Sequence, residues 1–445
     1  MINRLKDNMN KIYSDNTIGF SNGKKRLIYL IKQRVTKKDI DSFLSLCLLK
    51  KKGVKDRITV VFILQMPEIW NKQSLIYQQM KTRTNFHIII LAVPEYNIIT
   101  NSHNFENNTA YEFAVREGME NVIKADKLGD WQDLKELSPD YVFYQRPYEE
   151  YLPIQYSSRE VIKYSKTCYI PYAFFASTTG EMTMEYERSF ARNIYFNFVS
   201  SIEMKKLVSK KFFLTSKLGL RRIESVGIPI LENVLREKAN KEKINVWSEW
   251  GCSEDSFKIL WTPRWSTERS LGGSHFFLYK DSFVKYAKSD SKVFVAFRPH
   301  PLAFQNYIRN KLMSEEEVLE YEEIYSKSHN MVIDKRKKYI DTFWNTDLLI
   351  TDISSMMVEF FVTGKPIIFC GTDLALNEMH IEIINTLYQA DSWEDIEIII
   401  EELKQGNDWM QEKRRGVIEK WFGEIDLVSK KIVDMIEADT YISNQ

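Results

Sequence analysis

Residues 351–361 read TDISSMMVEFF, and a Gly-Lys-Pro stop and a second apolar run follow them. The pattern predicts a buried strand, a hydroxyl-rich turn, an apolar helix and another buried strand. Such a turn directs backbone N–H groups and serine hydroxyls to one point, where the helix dipole favours an anion such as a diphosphate. The alternative is that Asp352, Ser354 and Ser355 only cap the helix.

Two other apolar runs in the same region lead into basic residues. One is followed directly by Arg298 and His300, each with a proline after it, and the other by Thr262 and Arg264 with a proline between them. The prolines keep these side chains out of a continuing strand or helix, and a guanidinium binds phosphate through paired hydrogen bonds. Because ligands of open α/β sheets bind at the carboxyl ends of strands, we expect one phosphate-binding edge. For His300 the alternative is an incidental histidine in a rigid exposed turn.

Taken together, these motifs resemble a known family. WTPRW at residues 261–265, RPHP at residues 298–301 and TDISS at residues 351–355 resemble the C-terminal half of the CDP-glycerol glycerophosphotransferases of teichoic-acid and capsule synthesis. The resemblance covers about residues 257–371. It implies an α/β protein of GT-B type, with two Rossmann-like domains facing a cleft and the nucleotide bound mainly by the second. It also implies a CDP-activated donor as substrate, no tightly bound cofactor and no required divalent metal.

The resemblance also implies roles for single residues. His300 and Arg298 resemble the basic pair at the donor phosphates, and we predict both as catalytic. Ser354 and Ser355 resemble the family's pyrophosphate-binding serines. Glu359 resembles a ribose-binding acid, although the family more often has Asp there, and an ion-paired or solvent-facing role stays open.

Three further residues of these motifs complete the predicted donor site. They are Thr262, Arg264 and Asp352, of which Asp352 is expected to fix the turn rather than touch the ligand. No metal ligands are predicted.

The N-terminal half departs from the family pattern. Polymerase-type members carry a His-Gly-Thr element whose histidine is the favoured acceptor-side base, and this sequence has none. Only His87 and His103 of its six histidines precede the predicted hinge. His87 lies in an apolar run and His103 in an Asn-rich loop, so neither is a good candidate for the base.

Two aromatic stretches of the N-terminal half contain Pro-Tyr at the end of an apolar run, namely residues 139–148 and 168–174. They resemble a subgroup of the same family found in capsule and surface-glycan loci. They predict an acceptor side formed by Gln145, Arg146, Tyr148 and Tyr172 at the carboxyl edge of the first domain. Such side chains suit a sugar or polyol, although core packing would account for the tyrosines equally well.

The loop that follows offers two acidic candidates for the acceptor base, Glu181 and Glu185, and we predict Glu181 as catalytic. A carboxylate base needs a pKa raised by burial, which a sequence cannot show.

The composition is that of an ordinary globular protein. The chain has 445 residues, of which 44% are apolar and 28% charged, and its length predicts about two or three domains. The formal net charge of +1 gives no reason to expect nucleic acid as a partner. Four scattered cysteines without zinc spacing predict reduced thiols and a cytoplasmic protein. Neither a run of 18 apolar residues nor a signal-peptide pattern is found.

Periodicity and composition divide the chain into four predicted segments. They are a basic helical N-terminal segment at residues 1–56, an acceptor domain at 57–240, a nucleotide-binding domain at 241–392 and C-terminal helices at 393–445 that pack back on the first domain. Within the acceptor domain we predict strands at 58–64, 86–93, 141–144, 168–170 and 193–199, and helices at 71–82 and 109–117.

The N-terminal segment has a local excess of positive charge. Between Lys24 and Arg57 it has twelve lysine and arginine residues against three aspartates, interleaved with leucine, isoleucine and phenylalanine. An amphipathic basic helix can lie on an anionic bilayer, which would place the protein at the inner face of the cell membrane. The alternative is a solvated helical pair packed on the first domain.

The sequence therefore favours a transferase that moves a polyol phosphate, glycerol phosphate first among the candidates, from a CDP-activated donor to a hydroxyl of a glycan or lipid-linked polymer. Two alternatives stay open. One is a nucleotide-sugar-dependent GT-B glycosyltransferase of capsule or surface polysaccharide synthesis, and the other is a non-catalytic scaffold of glycan assembly.

Overall fold

The computed structural model of the protein describes most of the chain. The described residues are 37–49, 57–97, 100–127, 130–240, 245–423 and 425–442. Of the predicted basic segment at residues 1–56, only residues 37–49 are among them, so most of that prediction lies outside the described residues.

The first sheet has seven parallel strands. They are β1 Ile58–Leu64, β2 Phe86–Ala92, β3 Val122–Lys124, β4 Tyr141–Tyr144, β5 Lys166–Tyr169, β6 Phe196–Val199 and β7 Arg222–Ser225. Their order across the sheet is β7-β6-β5-β4-β1-β2-β3. The central strands are apolar on both faces, as in β1 with its sequence ITVVFIL, because helices cover both sides of a parallel sheet.

The second sheet has six parallel strands and repeats the same topology. They are β8 Phe257–Thr262, β9 Val293–Phe297, β10 Met331–Ile333, β11 Leu348–Thr351, β12 Ile367–Phe369 and β13 Tyr388–Gln389, in the order β10-β9-β8-β11-β12-β13. In both sheets the strand order reverses beside the first strand. This reversal opens a crevice between β1 and β4 in the first sheet and between β8 and β11 in the second.

Eighteen α-helices connect and cover the strands in the described residues. They are α1 Lys37–Leu49, α2 Ser74–Lys81, α3 Thr109–Arg116, α4 Ser158–Val161, α5 Thr178–Glu181, α6 Ser189–Arg192, α7 Ile202–Lys211, α8 Phe213–Lys217, α9 Pro229–Glu237, α10 Val246–Glu249, α11 Phe276–Ser289, α12 Ala303–Arg309, α13 Glu315–Ser326, α14 Ser355–Phe361, α15 Glu378–Ile384, α16 Trp393–Lys404, α17 Gln411–Phe422 and α18 Val428–Ile442.

Shorter elements fill the connections. The 3-10 helices are Pro67–Lys72, Glu149–Tyr151, Ile154–Tyr156, Lys238–Asn240, Arg269–Leu271, Ile340–Asn345 and Ile425–Leu427, and Met182–Tyr186 is a π-helix. Two small hairpins pair Tyr96–Asn97 with Ser102–His103 and Asp126–Lys127 with Asp130–Trp131.

The last helix, α18, lies against the first sheet. The Asp439 carboxylate on α18 accepts hydrogen bonds from the hydroxyls of Tyr141 at 2.8 Å and Tyr195 at 2.7 Å. It also pairs with the Lys166 ammonium at 2.6 Å, and the Asp439 side chain is only 5% exposed. The end of the chain is therefore fixed to the N-terminal ends of β4 and β5.

The two Rossmann-like halves share one apolar core. Buried residues of both sheets belong to the same cluster, including Phe62 from β1, Leu231 from α9, Leu349 from β11 and Phe360 from α14. The predicted fold class, α/β with two Rossmann-like domains, is confirmed. No helix in the described part of the chain is long and apolar enough to cross a bilayer.

Candidate active site

The crevice of the second sheet begins where β8 and β11 end side by side. Thr262 pairs with Thr351 in the register of the two strands. The Thr262 hydroxyl donates to the Thr351 hydroxyl at 2.9 Å, which donates to the Thr262 carbonyl at 3.0 Å. Both threonines are buried, so the predicted donor residue Thr262 holds the two strands together at this point.

Asp352 organises the turn beyond β11. Its carboxylate is 1% exposed and accepts hydrogen bonds from the backbone N–H of Arg264 at 2.8 Å and of His275 at 3.2 Å. The other carboxylate oxygen lies 2.6 Å from His275 Nδ1. Sequence reasoning missed His275, which belongs to none of the strand-end motifs. The only local signal is its place after a Gly-Gly-Ser turn and before an apolar helix.

Arg264 is folded back onto the same turn. Its Nη1 donates to the Ile353 carbonyl at 2.5 Å, whereas its Nε is buried and has no hydrogen-bond partner among the described residues. Burial lowers the pKa of Arg264. Gly272 has a φ of +104°, and a Cβ at this position would lie 2.8 Å from the Arg264 Nε, so only glycine leaves room for the guanidinium.

Arg298 follows β9 and is also held by the protein. Its Nη1 donates to Asp334 at 2.8 Å and its Nη2 to the Arg336 carbonyl at 2.8 Å. The guanidinium lies over the Tyr339 ring at 5.0 Å, and the side chain is 12% exposed. Arg298 therefore contributes a fixed positive charge rather than a free guanidinium fork.

The His300 side chain is exposed, and its neutral ring carries the proton on Nε2. The Leu302 backbone N–H donates to His300 Nδ1 at 3.1 Å, so the neutral ring has its proton on Nε2. Partial burial, with the charges of Arg264 and Arg298, lowers the pKa of His300 to about 4. At neutral pH the ring is an uncharged hydrogen-bond donor whose Nε2 has no partner in the described residues.

The two predicted pyrophosphate-binding serines have different partners. The Ser354 hydroxyl accepts the N–H of Met357 at 3.2 Å and caps α14, which is the alternative that the sequence left open. The Ser355 hydroxyl accepts the backbone N–H of Phe174 at 3.0 Å. Since Phe174 belongs to the first domain, Ser355 connects the two sides of the cleft. Asn377 adds to this connection by donating to the Phe175 carbonyl at 3.0 Å.

Glu359 is buried between the domains and forms an ion pair, which is one of the two alternatives to ribose binding. It pairs with the ammonium of Lys72, which lies after β1, and accepts the Tyr339 hydroxyl at 2.5 Å. Glu359 is 1% and Lys72 5% exposed. The same Tyr339 ring lies against Arg298, so this pair borders the donor edge without opening onto it.

At the first sheet, Gln145 and Arg146 follow β4 beside the end of β1. The Gln145 amide oxygen accepts the backbone N–H groups of Gln65 at 2.8 Å and Met66 at 2.9 Å, so Gln145 joins β4 to the chain beyond β1. Arg146 donates to the Gln65 side chain at 2.8 Å and lies over the Tyr151 ring at 4.9 Å.

Tyr148 and Tyr172 come together at the same edge. Their hydroxyls are 3.0 Å apart, and the Arg188 guanidinium lies over the Tyr148 ring at 4.4 Å. Both tyrosines are partly exposed, so they form a polar aromatic surface beside the crevice. Of the four predicted acceptor residues, these two and Arg146 reach this surface, while Gln145 is buried.

Two buried carboxyl groups follow this surface along the chain. Burial raises the pKa values of Tyr148 and Tyr172, and the second of these carboxyl groups, Glu185, is close enough to add to the increase. Glu181 ends α5 and accepts the Ser200 hydroxyl at 2.7 Å, and burial raises its pKa to about 7. Glu185 lies in the π-helix and accepts the Tyr169 hydroxyl, and burial raises its pKa to about 8. Its other oxygen is buried without a partner among the described residues. Burial therefore supplies the raised carboxyl pKa that a base requires, and π-helical turns are frequent at functional sites.

A family comparison covers most of the second half of the chain and part of the first. Residues 172–438 match the model of the CDP-glycerol:poly(glycerophosphate) glycerophosphotransferases, which is more than half of the protein. The chain belongs to this family. The resemblance seen in the sequence motifs is therefore confirmed, and the protein is a transferase of the CDP-glycerol glycerophosphotransferase type. No curated protein matches the chain.

Solved structures of low sequence identity share the fold. The UDP-GlcNAc 2-epimerase of Neisseria meningitidis is 10% identical, with a TM-score of 0.58 over 86% of this chain and 100% of that one. The wall teichoic acid polymerase TagF is 17% identical, with a TM-score of 0.51 over 94% of this chain and 97% of that one. A 2-epimerase homologue from Listeria monocytogenes is 12% identical, with a TM-score of 0.53 over 86% and 96%. These similarities support the GT-B type of fold of this glycerophosphotransferase family member.

Proposed function

We propose that this protein transfers a polyol phosphate, glycerol phosphate in the first instance, from a CDP-activated donor to a hydroxyl of a surface-glycan or teichoic-acid-like acceptor and releases CMP. One observation carries the proposal. Arg264 follows β8, whereas Arg298 and His300 follow β9, and the three lie close enough that both guanidinium charges lower the pKa of the imidazole. Two fixed cations and a neutral N–H donor suit a diphosphate better than an uncharged sugar.

In the proposed reaction the acceptor oxygen bonds to the β-phosphorus of the donor while the bond from that phosphorus to the bridging oxygen breaks. CMP leaves with the bonding electron pair, so negative charge grows on its phosphate. Arg298 and His300 stabilise that charge, because preorganised donors lower the barrier without reorganising during the step. Ser355 becomes available to the donor once its contact with Phe174 opens.

The acceptor proton passes to Glu181 in this mechanism. A carboxyl group with a pKa of about 7 is partly ionised at neutral pH, so a fraction of it is ready to accept a proton. It is also a stronger base than an ordinary carboxylate, which makes the proton transfer more favourable. Glu181→Gln keeps the size and the Ser200 hydrogen bond but cannot accept a proton. We expect it to lower kcat by about 10²–10⁴-fold, as for other general bases. Full activity of this variant would exclude Glu181 as the base.

The first experiment is a thermal-shift panel of CDP-glycerol, CDP-ribitol, CMP, CDP, UDP and GDP. At a hundredfold excess over Kd a ligand stabilises the folded state by about 2.7 kcal/mol. Selective cytidine stabilisation that is lost in His300→Ala and kept in His329→Ala, an exposed histidine control, would support the proposal. A preference for UDP or GDP would favour the glycosyltransferase. Cytidine binding without turnover of any acceptor would favour the scaffold.

A peripheral membrane position is part of the proposal, and the described residues add support for it. Three apolar side chains on α8 and directly after it are exposed. Their exposed fractions are 60% for Phe213, 54% for Leu214 and 50% for Leu218. Lys217 lies over the Phe213 ring at 5.4 Å, and three further lysines, Lys206, Lys210 and Lys211, belong to the preceding helix α7. Exposed apolar residues beside cations are typical of surfaces that bind anionic lipid.

Vesicle binding tests the membrane part. Replacing Phe213, Leu214 and Leu218 together by Ser should reduce sedimentation with anionic phosphatidylglycerol vesicles. Ile398→Ser removes an equally exposed residue on α16 and should leave binding unchanged. Equal loss in both variants, or no binding by the unaltered protein, would remove the membrane from the proposal.

A further inference from the structure

His275 is positioned by a buried carboxylate at the end of the second sheet. Its backbone N–H and its Nδ1 both contact Asp352, at 3.2 Å and 2.6 Å. This contact fixes the proton on Nδ1 toward the carboxylate and turns Nε2 outward. Nε2 has no hydrogen-bond partner among the described residues, and the side chain is 31% exposed, so a ligand can reach it.

The outer edge of the ring lies beside the carboxyl end of β12. Gly371, just after this strand, has a φ of +114°, and a Cβ there would be 3.6 Å from His275 Cε1 and 3.9 Å from Nε2. The ring therefore lies between the ends of β11 and β12, next to the crevice where the strand order reverses. The backbone N–H of Arg264 donates to the same Asp352 carboxylate, so His275 and Arg264 flank one point of this edge.

The charges around His275 are mainly negative. The hydrogen bond with Asp352 raises the pKa of His275, and the carboxylates of Asp373 and Asp391 add to the increase, although burial opposes it. Asp373 also faces the exposed Arg269 at 3.6 Å, and the Tyr279 ring lies 6.0 Å from the imidazole. The pKa of His275 thus moves in the opposite direction to that of His300.

We propose that His275 binds the phosphate of the nucleotide through its Nε2–H, with Asp352 as the residue that orients the ring. This inference rests on the proposed function and assigns a second histidine to the donor site. The contact with Asp352 favours the protonated form of His275, whereas His300 is an uncharged donor. His275 gives up no proton and forms no covalent bond in the reaction. In its protonated form it stabilises the phosphate of CMP, in which charge accumulates as the bond to the bridging oxygen breaks.

Calorimetric titration of CMP and of cytidine between about pH 7.5 and 9 tests this assignment, because the phosphate of CMP, with a second pKa of about 6, is almost fully ionised in that range. In the unaltered protein we expect CMP affinity to fall as the pH rises through the raised pKa of His275, with cytidine affinity unchanged. His275→Gln should weaken CMP binding by about 10- to 100-fold, the worth of a hydrogen bond to a charged group, and remove the pH dependence. Cytidine binding should be the same in both.

A second variant separates positioning from binding. Asp352→Asn keeps a hydrogen-bonding side chain but removes the carboxylate charge, so the fall in CMP affinity should move to lower pH. CMP affinity that is the same in His275→Gln and the unaltered protein would overturn the proposal. If UDP or GDP binds instead of CMP, the cytidine donor is wrong and the same comparison is made with that nucleotide. If neither a nucleotide nor pyrophosphate binds, both proposals fail.

Discussion

The carboxyl edges of the two sheets face one cleft and differ in how their polar groups are held. At the second sheet, cationic groups are tied to carboxylates or backbone carbonyls, as Arg298 is to Asp334. At the first sheet, carboxyl groups are tied to hydroxyls, as Glu181 is to Ser200. The second edge therefore has arginine charges that stay fixed, whereas the first edge has carboxyl groups whose pKa values burial moves toward neutral pH.

This difference follows from the physics of burial. A buried cation is retained only when a carboxylate or carbonyl compensates its lost hydration. A buried carboxyl group without a cation can lower the cost by keeping its proton, which raises its pKa. In the proposed function the edge of the second sheet would bind the diphosphate, and the edge of the first sheet would take a proton from the acceptor hydroxyl.

A large effect is expected on turnover at the edge of the second sheet. His300→Ala removes an exposed donor that packs loosely, so we expect kcat to fall by about 10²–10³-fold with little change in melting temperature. Steady-state release of CMP and a thermal melt measure the two quantities. His329→Ala is the control, and an active His300→Ala enzyme would mean that the fixed arginine charges suffice.

The next prediction concerns the stability that the ion pair of Glu359 and Lys72 contributes between the two domains. Glu359→Ala leaves the Lys72 ammonium buried without its partner, and breaking a buried pair costs about 3–5 kcal/mol. Denaturant unfolding measures the loss. The surface pair of Lys327 and Glu323 is the control, since Glu323→Ala should cost less than about 1 kcal/mol. Equal costs would show that the interdomain pair contributes no more than a surface pair.

The acceptor edge is tested by the pH dependence of stability. Glu185 has a pKa of about 8 in the folded state and an ordinary value of 4.5, so the folded state holds its proton more tightly than the unfolded state. Its contribution to stability is complete below about pH 4.5 and is lost as the pH rises through about 8. Since each pKa unit is worth about 1.4 kcal/mol, Glu185→Gln should reduce the loss between pH 5 and 8.5 by roughly 4 kcal/mol.

Denaturant midpoints at the two pH values give this comparison. Glu187→Gln, at an exposed neighbouring glutamate, should leave the pH dependence unchanged. If Glu185→Gln behaves like Glu187→Gln, the carboxyl group is ionised in the folded state and the contrast between the two edges disappears.

The smallest effect separates the two serines of the donor turn. Ser354→Ala removes a helix cap and should cost about 1 kcal/mol of stability. Ser355→Ala should cost less, because it frees only one N–H group at a domain contact, but it should speed hydrogen exchange at Phe174. Exchange measured by mass spectrometry distinguishes them. Faster exchange at Phe174 in both variants would mean that the whole turn loosens together.

Much of the fold could be predicted from apolar runs. The predicted strands at 58–64 and 141–144 match β1 and β4, because central parallel strands are apolar on both faces. The strands Val122–Lys124 and Arg222–Ser225 were missed. Both lie at the edges of the first sheet and are short and partly polar, so they carry no run that periodicity can detect.

The candidate site divides in the same way. The motifs around Arg264, Arg298 and His300 could be found because each chemistry-bearing residue directly follows an apolar run in the sequence. The ion-paired state of Glu359 could not, since its partner Lys72 is 287 residues away. His275 was missed for a related reason: its role depends on Asp352, 77 residues further along the chain.

The sequence by itself determined the family, the two Rossmann-like domains and which polar residues stand at the strand ends of the second one. These properties are local, since they need only the order of apolar runs, prolines and turns. The tertiary structure alone decided which of those side chains are already bound within the protein, as Ser355 is to Phe174. It also decided the pKa directions of His300, His275 and Glu181, because a pKa depends on burial and on charges that distant parts of the chain bring together.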